Sequence, residues 1–91
     1  MAKKQSTKKR VNFKLEAPEA KQVYLAGSFN GWDATCRPLK QDAAGIWKTW
    51  LMIAPGEYEY RYLVDGEWVD DPTCEELRAN EFGTDNCVLR V

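Results

Sequence analysis

Four tryptophans and no histidine limit the chemistry open to this 91-residue chain. General acid–base catalysis runs most often through histidine. A zinc centre would need Cys36, Cys74 and Cys87 to converge with a carboxylate from distant segments. No Gly-x-Ser-x-Gly elbow occurs, Gly27-Ser28-Phe29 reads as a strand end rather than a phosphate loop, and no two carboxylates are patterned to flank a glycosidic bond. The sequence therefore predicts no enzyme, no metal and no other cofactor. Recognition chemistry remains: flat indoles at Trp32 and Trp68, a guanidinium fork at Arg61 and an amide at Asn86.

The elements that must position these groups are short runs of period-two polarity, separated by Gly, Pro, Asn and Asp. Residues 11–15, 22–27, 46–53, 58–64, 67–69 and 85–91 read as strands, and residues 73–80 as a helical turn at most. Asp65-Gly66 is a strong signal for a two-residue type I′ hairpin. Six or seven short strands in this length predict an all-β fold, an immunoglobulin-like antiparallel β-sandwich.

The hairpin decides which side chains face out. With Asp65-Gly66 at its tip, Val64 lies opposite Glu67, Leu63 opposite Trp68, Tyr62 opposite Val69 and Arg61 opposite Asp70. Directly opposed residues share a face. Arg61, Leu63, Trp68 and Asp70 then form one face, and Tyr58, Tyr60, Tyr62, Val64 and Val69 form the other, which is the core. The same parity turns Asn86, Val88 and Arg90 outward on the last strand and Cys87, Leu89 and Val91 inward. Trp47 is assigned to the core with Thr49, Leu51 and Ile53, leaving Trp50 as structural or part of a self-association surface. An outward tryptophan needs a reason. A flat indole suits the C–H face of a glucopyranose ring, whose hydroxyls are then met by an amide or a guanidinium. Simpler readings stand beside this one: Trp32 as a staple for its own loop, Arg61 as a surface partner of Asp70, and the acid pairs Asp70-Asp71 and Glu75-Glu76 as a solvated rim or turn.

Charge is unevenly placed. Residues 1–10 hold five of the 13 basic residues and none of the 14 acidic ones, which leaves −6 on residues 11–91. Residues 1–10 read as a flexible basic tail and residues 11–91 as one domain. The acidic body argues against nucleic acid as partner, and no apolar run approaches membrane-spanning length. With no apolar signal-peptide segment and an odd number of cysteines, the chain reads as cytoplasmic with reduced thiols.

Five blocks in order resemble one family: Val23-Tyr24-Leu25-Ala26-Gly27-Ser28-Phe29-Asn30-Gly31-Trp32, Pro55-Gly56-Glu57-Tyr58-Glu59-Tyr60-Arg61-Tyr62, Val64-Asp65-Gly66-Glu67-Trp68, Asp71-Pro72 and Phe82-Gly83-Thr84-Asp85-Asn86. The sequence is similar over residues 21–91 to the glycogen-binding carbohydrate-binding modules, also described as isoamylase N-terminal or early-set domains. Within that family it looks especially like the kinase β-subunit branch. The resemblance implies an early-set sandwich that binds α-1,4-glucan without catalysis. It places two stacking tryptophans at Trp32 and Trp68, a basic residue at Arg61, the loop that leans on the sugar at Phe82, and its hydroxyl and amide partners at Thr84 and Asn86. Arg61 and Phe82 depart from the lysine and leucine of the kinase type, which should alter affinity. Expected partners are a glycogen, starch or maltooligosaccharide chain and a glycogen- or starch-metabolising enzyme. The alternative is a scaffold or protein-interaction module of the same fold that does not bind sugar.

Overall fold

A computed structural model describes residues 8–33 and 37–91; residues 1–7 of the basic tail and Cys36 lie outside it. The described residues form two antiparallel sheets. The smaller has the order β1-β4-β3, with β1 Lys9–Glu16, β3 Lys40–Gln41 and β4 Ile46–Ile53. The larger runs β2-β5-β8-β7, with β2 Val23–Gly27, β5 Glu57–Val64, β7 Leu77–Ala79 and β8 Asp85–Arg90. The short strand β6, Glu67–Val69, also pairs with β5. This is the expected all-β sandwich.

Each sheet turns alternate residues inward, so the core is a set of period-two stripes. Phe13 and Leu15 of β1, Val23 and Leu25 of β2, Trp47 and Ile53 of β4, and Tyr60 and Tyr62 of β5 are buried together with Leu39 and Cys87. Trp47 sits inside as expected and donates its indole N–H to the Ala17 carbonyl at 2.8 Å. Trp50 leaves the core on the smaller sheet, where the Arg10 guanidinium lies 4.6 Å from its ring centre. Tyr60 and Tyr62 pack edge to face, and Tyr60 meets Phe13 the same way.

The hairpin register agrees with the parity argument: Val64 pairs with Glu67, Leu63 with Trp68 and Tyr62 with Val69. Asp65 and Gly66 both take positive φ, 48° and 87°. Asp65 also pins the turn to the body, since its carboxylate accepts the backbone N–H groups of Lys21 and Gln22 at 2.9 and 2.8 Å.

Several expectations need correction. Residues Leu77–Ala79 are a strand, not part of a helical turn, because pairing of Leu77, Arg78 and Ala79 with Cys87, Asn86 and Asp85 overrides the local preference of a Glu-Glu-Leu-Arg run. Strand β1 starts at Lys9, two residues early, and a single 3-10 turn occupies Ser28–Asn30. Asp71 is no solvated turn residue. It is buried, accepts the Tyr60 phenol at 2.6 Å, and caps Thr73 through its backbone N–H and hydroxyl. Cys74 and Cys87 are not reduced thiols but a disulfide, with Cα atoms 5.9 Å apart. The β7–β8 pairing brings them together, and spacing alone does not encode that. One ground for a cytoplasmic placement falls with it.

Candidate functional site

The edge of β5 opposite β2 is shared: its first half pairs with β8 and its last three residues with β6. Arg61 stands where that edge passes from one partner to the other. Outward parity places Glu59 and Arg61 of β5, Trp68 of β6 and Asn86 of β8 on one face, and the turns at Ser28–Asn30 and 80–84 rise on either side of it. The result is an open groove of about 940 Å³. All six residues singled out from sequence line it: Trp32, Arg61, Trp68, Phe82, Thr84 and Asn86. Ser28, Glu59, Asn80 and Glu81 line it too.

Trp32 is held by backbone geometry. Gly31 and Trp32 both adopt left-handed φ, 67° and 61°, and the Trp32 N–H donates to the Gly27 carbonyl at 2.9 Å. A bulky residue in this region costs on the order of 1 kcal/mol, strain the Gly27–Asn30 turn must sustain. Asn30 does so by accepting the Gly27 N–H at 3.1 Å and donating to the Leu25 carbonyl at 3.3 Å. The strained turn displays the indole rather than burying it: Trp32 is 38% exposed, Trp68 45% and Phe82 82%.

Polar groups form the floor. Arg61 donates from Nε to Asp70 at 2.9 Å and from Nη1 to the Thr84 hydroxyl at 3.2 Å, leaving Nη2 without a protein partner among the described residues. The cross-strand pair with Asp70 is thus real and coexists with a place in the groove. Asn86 has the expected face but not the expected exposure, since only 8% of it is accessible. Asn80 donates to its carbonyl oxygen at 3.0 Å, and its own amide donates to Glu59 at 3.0 Å. Asn80 organises the whole loop. Its side-chain oxygen accepts the N–H groups of Phe82 and Thr84 at 2.9 and 3.1 Å, and its amide donates to the Thr84 hydroxyl at 2.8 Å.

Charge on this face is locally balanced. Arg78 bridges Glu57 and Glu59 at 2.7 and 3.1 Å. Its hydrogen bonds to Glu57 and then Glu59 hold Arg78 well above its ordinary range, and the same Arg78 bond holds Glu57 below the usual carboxylate value. Glu59 was within reach of the sequence, since it shares parity with Arg61 two residues away. Asn80 was not, because its role depends on the folded loop. Among the described residues no group of three or more metal-ligating side chains gathers, and no helix is long and apolar enough to cross a membrane.

Residues 10–91 match the family model for the glycogen recognition site of AMP-activated protein kinase. The β-1 subunit of 5'-AMP-activated protein kinase from Sus scrofa is 38% identical over 71 residues, covering 78% of this chain and 55% of that protein. The Homo sapiens β-1 subunit is 37% identical over 71 residues, again 78% of this chain but 25% of its own length. Protein PTST homolog 2, chloroplastic, of Arabidopsis thaliana is 43% identical over 53 residues, 58% of this chain and 10% of that protein. In structure, the chain superposes on maltogenic amylase from S. marinus with a TM-score of 0.76 and 27% identity, covering 90% of this chain and 13% of the amylase. The chain therefore spans from about a tenth to about half of the proteins it matches.

Proposed function

The chain belongs to the family of the glycogen recognition site of AMP-activated protein kinase, and from that membership we propose that it binds α-1,4-glucan and performs no chemistry on it. The observation that carries this reading is the convergence of Trp32, Trp68 and Phe82 with Arg61, Thr84 and Asn86 on one groove. The two indoles offer stacking platforms for successive glucose rings, and Phe82 leans over the chain from the opposite wall. Arg61 has a free Nη2 edge for hydroxyls, and Glu59, Thr84 and Asn86 add acceptors and donors within reach of it. A shallow groove on a flexible sugar gives a Kd on the order of micromolar to millimolar.

The relatives also support a setting. Their names include a kinase subunit and an amylase, so a glycogen- or starch-metabolising enzyme is the proposed partner. Native gel electrophoresis tests the binding directly. Amylopectin cast in the gel should retard the chain, and a soluble cellulose derivative should not. Equal mobility in both gels would leave the sugar-free scaffold as the better reading.

A further inference from the structure

No residue between Asp71 and Asn86 is buried. Yet this segment supplies Asn80, Glu81, Phe82 and Thr84 to the groove. Its one strand, β7, has three exposed residues and pairs on one side only. The ion pairs of Arg78 and Arg90 with Glu57, Glu59 and Glu76 lie at the surface, where such contacts hold weakly. A segment of this kind belongs to the least stable part of a fold. Within it, Cys74 alone is tied covalently to the core, through Cys87, which is 2% exposed. The disulfide closes a loop that contains β7 and the whole Asn80–Thr84 turn.

The geometry points to Cys74–Cys87 as a redox modification site that sets the affinity of the groove. This rests on the glucan-binding reading. Cys74 is only partly buried whereas Cys87 is 2% exposed, so attack is directed to the Cys74 sulfur. The thiolate of a dithiol reductant attacks it, forming a mixed disulfide and expelling the Cys87 thiolate, which takes up a proton. The reductant's second thiol then displaces Cys74 and leaves as an oxidised disulfide, so two electrons and two protons reach the protein. Reduction releases the groove wall from its tether. The sugar must then order Asn80, Phe82 and Thr84 as it binds, which weakens affinity about tenfold.

The test uses the full chain carrying Cys36→Ser, so that thiol titration reads zero when oxidised and two when reduced. Maltoheptaose affinity is measured by calorimetry in both states and in a Cys74→Ser/Cys87→Ser variant of that chain. The expected result is about tenfold weaker binding on reduction, with the variant matching the reduced form whether or not reductant is present. Hydrogen exchange covers the case in which the variant fails to fold: reduction should speed exchange in residues 75–85 and leave β2 and β5 protected. Equal affinity in both states overturns the inference and leaves the glucan reading intact. Binding in neither state overturns both, and loss of protection throughout the sandwich overturns the local mechanism.

Discussion

Replacing Trp68 by alanine should weaken maltoheptaose binding about tenfold and lower the stability of the sandwich by on the order of 1–3 kcal/mol without unfolding it. Trp68 is 45% exposed, which on an aromatic of about 250 Å² corresponds to about 110 Å² open to solvent. A glucose ring stacks on one face and covers about half of that. At about 25 cal/mol per Å², the lost burial is about 1.4 kcal/mol, a factor of ten in Kd. Stability falls as well, because just over half of the indole is covered in the fold, its cross-strand contact with Leu63 included, and uncovering it costs on the order of 1–3 kcal/mol. Isothermal titration of wild type, Trp68→Ala and Trp68→Phe, with melting curves for each, separates the two effects. Phenylalanine should recover part of the affinity, and Trp50→Ala should bind as wild type. A Trp68→Ala protein that is folded at the titration temperature and has a Kd within about twofold of wild type would refute the stacking argument.

Other outcomes follow from single contacts. Asn80→Ala removes three accepted and two donated hydrogen bonds from an exposed loop; water replaces most of them, so affinity should fall about fivefold with little change in melting, and unchanged affinity would remove Asn80 from the site. Gly27→Ala would set a Cβ 2.6 Å from the Glu59 carbonyl and from the Phe29 ring; urea denaturation should show a loss of about 2 kcal/mol, and an unchanged midpoint would contradict the crowding. Alkaline pH should unfold the protein. Burial first and the hydrogen bond to Asp71 second raise the Tyr60 phenol well above its ordinary value, and burial followed by the Asp71 charge raises Tyr62. The folded values lie above the unfolded one, so this stability is complete below about pH 10 and is lost as pH rises further, at up to about 2.7 kcal/mol per pH unit for two protons. Tyrosinate absorbance from these two rings should appear only together with unfolding; its appearance in the folded protein would contradict their burial.

Much of the site could be read from parity. One dipeptide, Asp65-Gly66, fixed the hairpin register and with it the outward face of Arg61 and Trp68, because a two-residue turn leaves no freedom of pairing. Trp47 and Trp50 separated on the same principle. Parity says which way a side chain points, though not what covers it. Asn86 points outward and is still enclosed, by Asn80 and Glu59, and Val88 lies covered on a face bearing Glu57, Glu59 and Arg90. The segment after Asp71 was the least legible. Its strand exists through pairing with β8, and its disulfide through a proximity that the pairing creates. Local composition carries neither. Asp71 shows the same limit, since adjacent acids look solvated until a buried phenol is known to lie above one of them.

The four tryptophans also supply the most direct test of where sugar binds. Each indole N–H gives its own proton resonance, and single Trp→Phe changes assign all four. Titration with maltoheptaose should shift the signals of Trp32 and Trp68 and leave buried Trp47 and exposed Trp50, both on the other sheet, in place. A shift confined to Trp50, or no shift at millimolar sugar, would contradict the groove as the glucan-binding site.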